Sequence, residues 1–579
     1  MFTSRTRSRV IAAAVTVAVT LGACGGDDTA DEPDEPVGTV DAGAPGTAEP
    51  GTSEPVASDP ASTDIATSSP SSDGGDGGGS AQCEATVPGS EVNFGVYSPA
   101  AALDPLQSSG SAAGGTDLAA IYDTLTRWNP ETNDWEPQMA ESFEPNEDYT
   151  EWTVTLREGL TYANGDPVLA EHILTNFERL LGPGRNSARA QIARLDLESS
   201  EVVDDRTVVI HSLKPWVTFG ELLGEAPGMI VNPALGAEVD ANDVSVISAD
   251  PNGAGAGAYE VERWAPGESP YLVLKARDDY WGGPVCVETV NFIYIADDRA
   301  KLDSLELGEL DFALFRTPDV IADARASGTE YTEISLLQSS GENLLINNGV
   351  GTHTEVTADV RFRQAVNLAI DPEIVSQQGF GGELLTWKGL VHESSPFYSG
   401  VVPPEPDADA ARALVEELKA EGWDGSVRLL ARDLNPNMNV AIVSQLEAVG
   451  MSIDLTVTDI NTMASNVVGQ DYDMAIWGLN IADSSALRSI YFNLRSDSPS
   501  NRMGFSNPEV DAAIDALYAT PDADERREIM KTIDEIYNEL SPSVPFGVSE
   551  ELYLIRDTVA GVTATQMSVV LLDDLYRTS

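Results

Sequence analysis

The chain shows two kinds of hydrophobic pattern, one typical of strands and one typical of helices. Apolar runs rich in β-branched and aromatic residues predict strands at residues 151–156, 207–213, 271–276 and 289–295. Apolar residues spaced by three and four predict helices at residues 410–421 and 523–540, with Gly422 and Pro542 just beyond their ends. Because strands alternate with helices, we expect an α/β fold. The stretch from residue 83 onward is too long for one hydrophobic core, so two or three lobes are expected.

A separate apolar run near the amino terminus predicts export. A basic head with three arginines precedes an apolar stretch at residues 10–21, which is shorter than the roughly 20 residues that span a bilayer. The following Gly22-Ala23-Cys24 resembles the cleavage box of bacterial lipoproteins. This resemblance implies that residues 1–23 are a signal peptide and that Cys24 becomes lipidated. An ordinary cleaved signal with an incidental cysteine is the alternative.

Residues 24–82 lack the large apolar side chains that a core requires. They consist mainly of Gly, Pro, Ser, Thr, Ala, Asp and Glu, a composition that cannot offset the entropy lost on ordering. We therefore expect a disordered acidic tether, with a root-mean-square reach of roughly 40 Å by random-coil scaling. Such a tether would lift a folded domain clear of the lipid headgroups.

The charge balance excludes one large class of partner. The chain carries 94 acidic and 33 basic residues, for a net charge of -61. Nucleic-acid binding requires clustered Lys and Arg, so nucleic acid is not expected as a partner. Solubility in a salty or acidic medium explains the excess best, with steering of a charged substrate as the alternative.

Cysteine usage agrees with an oxidising compartment. Apart from Cys24, the chain contains only Cys83 and Cys286. An even pair in an exported protein favours a disulfide, which would link the start of the folded region to a segment some 200 residues later. Two unrelated buried thiols are the alternative.

Several short strings occur in an order and spacing that together are specific. They are Leu103-Asp104-Pro105, Ile121-Tyr122-Asp123-Thr124-Leu125, residues 152–159, Asn164-Gly165-Asp166-Pro167 with Ala170-Glu171, Gly255-Ala256-Gly257-Ala258-Tyr259, Tyr280-Trp281, Leu307-Gly308-Glu309-Leu310-Asp311, residues 359–365 with Ala369-Ile370-Asp371, and residues 504–511. From about residue 90 to the carboxyl terminus, the chain resembles the extracytoplasmic solute-binding proteins, family 5, of peptide/nickel-type ABC transporters.

Most of these strings have a structural interpretation. Gly165 is expected at a turn position with positive φ, followed by Asp166 as a helix cap with Pro167 in the first turn. Asp359 and Asp371 are likewise expected to start helices. The glycine-rich residues 253–257 predict a turn and not a phosphate-binding loop, because they precede a strand instead of opening a helix.

The sequence contains no pattern that predicts catalysis or metal binding. His172, His211, His353 and His392 are far apart, and no His/Cys cluster has the spacing of a zinc site. Carboxylates are so numerous that no single pair indicates acid–base chemistry. We therefore expect neither enzymatic activity nor a cofactor.

The resemblance implies a periplasmic-binding-protein type II architecture, with two lobes joined by a hinge. Lobe I would comprise residues 84–116, 254–346 and 546–579, with an extra subdomain inserted at 117–253. Lobe II would comprise residues 347–545. The expected crossing strands contain residues 344–347 and 543–546.

The resemblance also suggests where a ligand would bind. In peptide-binding members, an aspartate after a strand in lobe II pairs with the amino group of the ligand. Asp483 is the matching candidate. The family often has Asp-x-x-Asp-Pro at this point and this chain does not, so a solvated loop aspartate is the alternative. The further candidates, for which ordinary packing is the alternative, are Trp477 and Tyr97 as aromatic surfaces and Ser98, Asn480 and Asn347 as hydrogen-bonding groups.

The expected function is the capture of an extracellular solute for import, and the expected solute is a short peptide. Hinge closure over the ligand would create the surface that the permease subunits recognise, while a separate ATPase supplies the energy. We expect a monomer, lipid-anchored to the outer face of the cell membrane. The alternative is an adhesion or assembly lipoprotein that has the same fold and has lost transport.

Overall fold

The computed structural model describes residues 83–107, 114–181, 189–236 and 251–578. The predicted signal peptide (1–23), the predicted lipidation site Cys24 and the predicted tether (24–82) lie outside the described residues. Within the described ranges, none of the helices is both long enough and apolar enough to span a bilayer.

The described strands are β1 (Val87–Val96), β2 (Thr126–Asn129), β3 (Asp134–Pro137), β4 (Ala140–Pro145), β5 (Glu151–Leu156), β6 (Leu195–Val202), β7 (Thr207–Ser212), β8 (Tyr259–Trp264), β9 (Leu272–Ala276), β10 (Val287–Tyr294), β11 (Phe312–Phe315), β12 (Thr332–Ile346), β13 (Ser426–Arg432), β14 (Ser452–Thr458), β15 (Met474–Ile476), β16 (Ile481–Ala482), β17 (Ser543–Ile555), β18 (Val559–Ala560), β19 (Thr563–Ala564), β20 (Val570–Leu571) and β21 (Tyr576–Arg577).

The described α-helices are α1 (Gly115–Tyr122), α2 (Ala170–Leu181), α3 (Arg189–Ile192), α4 (Phe219–Gly224), α5 (Pro233–Gly236), α6 (Asp298–Leu307), α7 (Pro318–Ala326), α8 (Val360–Ala369), α9 (Pro372–Gly379), α10 (Ala408–Ala420), α11 (Pro436–Ala448), α12 (Ile460–Gly469), α13 (Ala486–Leu494), α14 (Pro508–Ala519) and α15 (Ala523–Leu540). Short 3-10 helices lie at Pro105–Gln107, Ala226–Gly228, Glu355–Ala358, Asp483–Ser485 and Gln566–Ser568. The expected α/β class is confirmed, and each strand and helix predicted from the hydrophobic pattern is present within a few residues of its predicted bounds.

One large mixed sheet organises the fold. Its strand order is β14-β13-β15-β12-β17-β11-β1-β10-β9-β8, and β16 pairs with β12 beside this path. We call strands β1 and β8–β11 the β1 half, and strands β13–β15 the β13 half. The two halves are connected within the sheet by β12 and β17.

Strands β12 and β17 are the longest described strands, and they pair with each other in antiparallel fashion. The pairing extends from Thr332↔Ile555 to Leu345↔Ser543. At one end β17 also pairs with β11, and at the other end β12 also pairs with β15. The residues expected in the crossing strands, 344–347 and 543–546, therefore lie in or directly beside this pair.

Residues 126–212 form two smaller sheets. Strands β4, β5, β7 and β6 make a four-stranded antiparallel sheet, and β2 pairs with β3. Alternation along β5 buries Trp152, Val154 and Leu156 on one face, in the same hydrophobic cluster as Phe177 of α2. This is the pattern expected of a half-buried antiparallel strand.

Helix starts follow the local chemistry of the chain. The side chain of Asp359 accepts a hydrogen bond from the N–H of Arg361, and that of Asp371 accepts one from the N–H of Glu373. Each satisfies a backbone donor that the first helical turn leaves without a partner. The predicted starts of α8 and α9 are therefore confirmed.

The predicted start at Asp166 is wrong. Asp166 lies in a tight turn closed by the bridge between Thr161 and Pro167, and its carboxylate accepts hydrogen bonds from Asn164 and Asn232. Helix α2 begins only at Ala170. There, Nδ1 of His172 accepts the Leu169 N–H at 3.2 Å, which is the contact that an acidic residue makes in a capping box.

Both predicted glycine turns are confirmed. Gly165 has a φ of 86°, in the left-handed region that glycine adopts with little strain. In the segment 253–257, the Ala254 N–H donates to the Pro251 carbonyl at 2.9 Å, and the chain then enters strand β8.

A disulfide joins Cys83 to Cys286, with a Cα–Cα distance of 5.7 Å. Next to it, the Val87 N–H donates to the Cys286 carbonyl, and Val87 pairs with Val287 in the first register position of β1 and β10. The bond therefore fastens the start of β1 to its parallel neighbour.

A buried carboxylate holds the β13 half together. Asp473, which precedes β15, is fully buried and accepts hydrogen bonds from the N–H and hydroxyl of Thr354 and from the N–H and guanidinium of Arg428. Burial alone would raise the pKa of Asp473, but these hydrogen bonds outweigh it and hold the pKa below its ordinary value.

We predict that Asp473→Asn destabilises the protein by about 2–3 kcal/mol, because a buried charged acceptor with four donors is lost. Urea denaturation at neutral pH measures this difference in the free energy of unfolding. Because the folded pKa is depressed, the contribution is complete above the unfolded pKa of about 3.9 and is lost as the pH falls through the lower folded pKa.

The matched control is Asp471→Asn, which removes an exposed carboxylate 3.1 Å from the same arginine. An exposed pair contributes about 0–1 kcal/mol, so this variant should unfold nearly like the parent. Equal destabilisation by both substitutions would contradict the structural role given to Asp473.

Candidate functional site

A partly open cavity of about 230 Å³ lies where distant parts of the chain meet. Its walls are of mixed polar and apolar character and come from the β2–β3 hairpin, strand β12, the loop after Trp387, the segment after β16 and the carboxyl-terminal segment. The lining residues are Trp128, Pro130, Asn133, Ser335, Leu336, Leu337, Gln338, Ser339, His392, Ser394, Ser395, Ala482, Asp483, Ser484, Thr565 and Ser568.

One side of the cavity is formed by strand β12. Residues 335–337 pair with β17 on one edge, and β16 pairs with β12 only at Gln338 and Ser339. Among the residues that the structure describes, no strand pairs with the second edge at positions 335–337. An open strand edge presents backbone N–H and C=O groups that can bind an extended peptide main chain.

Asp483 provides the cavity with a carboxylate. It follows directly after β16 and begins a short 3-10 helix. Its Oδ1 accepts a hydrogen bond of 2.5 Å from the Ser395 hydroxyl. Burial raises the pKa of Asp483, while the Ser395 hydrogen bond and the nearby His392 act in the opposite direction.

The loop that carries Ser395 is held in place by hydrogen bonds to β12 and within itself. The His392 N–H donates to the Ser339 hydroxyl at 3.0 Å, and Nδ1 of His392 lies 2.8 Å from the Ser394 hydroxyl. Burial lowers the pKa of His392, which favours the neutral ring. Among the lining residues, Asp483 is therefore the group that supplies a full charge, and it is negative.

The opposite wall is also fixed by backbone contacts. The Trp128 N–H donates to the Thr565 hydroxyl at 2.9 Å, although the two residues are 437 positions apart. The hydroxyl of Tyr553 donates to the Ser568 carbonyl at 2.7 Å. Trp128 also packs edge-on against Trp135, with ring centroids 5.7 Å apart, so its position is set from both sides.

Of the predicted site residues, Asp483 is the one that lines this cavity. Trp477 is half-buried, packs against the hydrophobic core and donates its N–H to the Asn343 carbonyl. Asn480 has a φ of 51°, and its carbonyl accepts a hydrogen bond from Ser489 at 3.3 Å. Both lie in the connection between β15 and β16, outside the cavity lining.

The side chain of Asn347 is used in hydrogen bonds within the protein. Its amide donates to the carbonyls of Val350 and Tyr472, and its Oδ1 accepts the N–H groups of Gly349 and Val350. These bonds fix the loop after β12.

Tyr97 and Ser98 lie half-buried just after β1. The Arg316 guanidinium stacks on the Tyr97 ring at 4.7 Å, and burial raises the pKa of Tyr97. Neither residue lines the cavity around Asp483.

Sequence analysis missed most of the cavity wall. His392, Ser394 and Ser395 belong to an irregular loop without a recognisable motif, and Thr565 and Ser568 lie close to the carboxyl terminus. The polar run from 392 to 395 between two apolar stretches was the one local signal that could have drawn attention to the loop.

The cavity suits a small polar ligand that carries a positive charge. Its volume is below the roughly 300–1,000 Å³ typical of sites for drug-sized ligands. In the described part of the chain, no three His, Cys, Asp or Glu side chains converge in a way that could hold a metal ion. Capture by hydrogen bonds and charge is the chemistry that this arrangement supports.

Both the sequence and the fold resemble those of known binding proteins. The chain is 27% identical over 412 residues to the probable D,D-dipeptide-binding periplasmic protein DdpA of Escherichia coli, covering 68% of this chain and 75% of that protein. The fold matches the oligopeptide-binding protein AppA of Bacillus subtilis, in complex with a nonapeptide, with a TM-score of 0.71, 16% identity and coverage of 84% and 99%.

A second fold match is DppA of Helicobacter pylori in complex with the peptide STSA, with a TM-score of 0.71, 19% identity and coverage of 84% of this chain and 98% of the other. These likenesses establish a type II periplasmic-binding-protein fold. Residues 134–501 match the profile of the family described as "Bacterial extracellular solute-binding proteins, family 5 Middle". The chain therefore belongs to the bacterial extracellular solute-binding proteins of family 5.

Proposed function

We propose that this protein captures short peptides outside the cell and delivers them to an ABC importer. The observation that carries the proposal is that an open edge of β12 and the half-buried carboxylate of Asp483 line one cavity. A strand edge binds a peptide main chain by hydrogen bonds, and a buried carboxylate binds a terminal amino group. The peptide-binding names of DdpA, AppA and DppA support the same ligand class.

The size of the cavity favours a ligand of two or three residues. At about 230 Å³, the cavity leaves little room for a long peptide. A longer ligand would require the walls around Trp128 and Ser395 to move apart. Dipeptides and tripeptides are therefore the first ligands to test.

The proposed setting is the outer face of the cell membrane. Lipidation of Cys24 and the acidic tether 24–82 would keep a monomeric binding domain beside the permease subunits. The protein itself performs no chemistry in this scheme. The adhesion alternative finds no support in the comparisons.

Ligand release requires the cavity to open, and we propose that it does so by hinge motion of two lobes. Lobe I comprises residues 84–116, 254–346 and 546–579, the subdomain is inserted at 117–253, and lobe II comprises residues 347–545. Strands β12 and β17 would serve as the hinge.

Contacts between the inserted subdomain and lobe II would belong to the closed state. Arg488 of α13 forms ion pairs with Glu221 and Glu225, and all three side chains are buried. Arg194 stacks on Tyr518 at 4.0 Å and on Trp216 at 4.1 Å. Opening between these segments would expose these groups to water.

We predict that Asp483→Asn weakens the binding of dipeptides by about 10- to 100-fold, because a charged hydrogen bond contributes about 1.5–3 kcal/mol. The measurement is isothermal titration with defined dipeptides, selected first from a mixed pool of dipeptides and tripeptides. Binding should also weaken as the pH falls through the raised pKa of Asp483, since protonation removes the negative charge.

N-acetylated dipeptides provide the second arm of this experiment. They should bind the parent protein weakly and lose nothing further in Asp483→Asn, because the amino group is already neutral. Asp454→Asn, on the exposed strand β14, is the matched control. Equal losses for free and acetylated peptides would show that Asp483 does not contact the amine, and a parent protein that binds no pool member would exclude the proposed function.

We predict that Arg488→Met shifts the protein toward the open state. Removing this cation leaves Glu221 and Glu225 buried without their ion pair, although Gln191 still donates to Glu225, at a cost of about 3–5 kcal/mol that applies only while the interface is closed. Small-angle scattering at saturating peptide should give a larger radius of gyration, and the apparent affinity should fall by at least about 10-fold.

Lys214→Met is the control for Arg488→Met, because Lys214 forms an exposed pair with Asp515 between the same segments. Its effect on affinity should be less than about fivefold. If the scattering and the affinity are both unchanged in Arg488→Met, these ion pairs lie within one rigid body and the prediction is wrong.

A further inference from the structure

The cavity around Asp483 contains a buried hydroxyl group that the protein itself does not satisfy. Ser568 lines the cavity and is 1% exposed. Its carbonyl accepts a hydrogen bond from the Tyr553 hydroxyl, but its Oγ has no hydrogen-bond partner among the residues that the structure describes. A buried hydroxyl without a hydrogen bond costs free energy, and native proteins leave few of them. A polar group that enters the cavity can supply the missing bond.

The backbone at Ser568 is held in an unfavourable conformation. Its φ of 60° lies in the left-handed region, which residues other than glycine and asparagine adopt at a cost. Two hydrogen bonds close the turn around it, from the Val569 N–H to the Gln566 carbonyl at 2.8 Å and from the Thr565 N–H to the Val569 carbonyl at 3.0 Å. Such conformations persist only where surrounding contacts fix them, and they cluster at binding sites.

Gln338 of β12 provides the cavity with a second polar side chain. It lines the same cavity and is 5% exposed. Its main chain pairs on both edges of the strand, with Ser549 of β17 and Ala482 of β16. In the described part of the chain, its side-chain amide makes no hydrogen bond. This amide can donate and accept, so it is a second group that can bind a polar ligand.

Strand geometry places Gln338 and Ser568 on the same face of the large sheet. Ile334 of β12 pairs with Tyr553 of β17, so these two side chains share a face. Gln338 follows Ile334 by four residues in a regular stretch of this pairing, and side chains alternate along a strand, so Gln338 is on that face as well. The hydrogen bond from the Tyr553 hydroxyl brings Ser568 to the same face.

Both groups are close to the carboxylate that is proposed to bind the amine. Ala482, which pairs with Gln338, directly precedes Asp483. The 3-10 helices Asp483–Ser485 and Gln566–Ser568 lie beside each other. When an amino group is bound to Asp483, the side chain that branches from the adjacent carbon atom is therefore the part of the ligand within reach of both groups.

The chemistry of the two groups defines the side chain that fits them. Ser568 and Gln338 are neutral, and each can both donate and accept a hydrogen bond. A hydroxyl or carboxamide group on the ligand has the same two capacities. A carboxylate could only accept and would be repelled by Asp483, whereas an ammonium group could only donate. An uncharged polar group therefore matches both partners.

We propose that Ser568 and Gln338 form a subsite for an uncharged polar side chain on the first residue of the captured peptide. This inference rests on the proposed function, in which Asp483 binds the amino group of that residue. An aliphatic side chain of the same shape leaves both buried groups unpaired. The subsite thus selects by the hydrogen bonds that the wrong ligand fails to make.

The test compares two pairs of dipeptides of matched shape by isothermal titration. Asn-Ala and Leu-Ala differ in a carboxamide, and Thr-Ala and Val-Ala differ in a hydroxyl. The parent protein should bind Asn-Ala at least about 10-fold more tightly than Leu-Ala, and Thr-Ala at least about threefold more tightly than Val-Ala.

Two variants remove the polar groups of the subsite one at a time. Ser568→Gly removes the hydroxyl and suits the left-handed φ, so urea denaturation should show no loss of stability. Gln338→Met keeps the length of the side chain and removes its amide. Each variant should lower the preference for Asn-Ala by at least about threefold, and the double variant should abolish it. Ser452→Ala, at the exposed start of β14, is the matched control and should keep the preference.

Two results would overturn the inference. One is equal binding of Asn-Ala and Leu-Ala by the parent protein. The other is an unchanged preference for Asn-Ala in both single variants, since a hydroxyl and an amide that do not touch the ligand cannot discriminate between the two dipeptides.

Non-peptide amines separate this inference from the proposed function. β-Alaninamide and isopentylamine have the same shape and differ in a carboxamide. If no dipeptide binds and the parent prefers β-alaninamide in a manner that Ser568→Gly removes, the polar subsite stands and the peptide proposal fails. If dipeptides bind through Asp483 without any preference for a polar first side chain, the peptide proposal stands and the subsite fails. A parent protein that binds none of these probes contradicts both.

Discussion

The pairing of β12 with β17 is the constraint on which the other features depend. These two strands connect the β1 half with the β13 half, and their register fixes which residues of the two halves are level with each other. One edge of β12 is used by β17, and at residues 335–337 the other edge faces the cavity. A slip of β12 by one residue in this register would move its side chains to the opposite face of the sheet and so change the wall of the cavity around Asp483.

The negative charge of the protein has different consequences at the surface and in the interior. An excess of carboxylates costs little on the surface, where water screens it, but every buried charge must find a partner. Asp473 is fully satisfied by four donors and stabilises the β13 half. Asp483 accepts a hydrogen bond from Ser395 and lines a cavity, so its charge remains accessible to a ligand. Under the proposed function, Asp473 is therefore the structural carboxylate and Asp483 the binding carboxylate.

The hydrophobic pattern predicted the elements well, because strand and helix periodicity depends on neighbours a few residues away. Helix caps at Asp359 and Asp371 were predictable for the same reason, whereas Asp166 failed because Asn232, 66 residues later, helps to hold its side chain in a turn. The family strings led to Asp483. The rest of the cavity was not predictable, since contacts such as Trp128 with Thr565 depend on the packing of the whole fold.

In the proposed two-lobe arrangement, the surfaces that meet on closure contain buried charges. Arg488 forms ion pairs with both Glu221 and Glu225. A purely apolar interface of similar extent would bind to itself and stay closed, because burial of apolar surface is favourable without any partner. A buried ion cluster contributes less to closure, because the desolvation of its charges offsets much of their attraction. Under the proposed hinge motion, the closed state would then be only marginally favourable, and the free energy of binding a small charged ligand would decide between the open and closed forms.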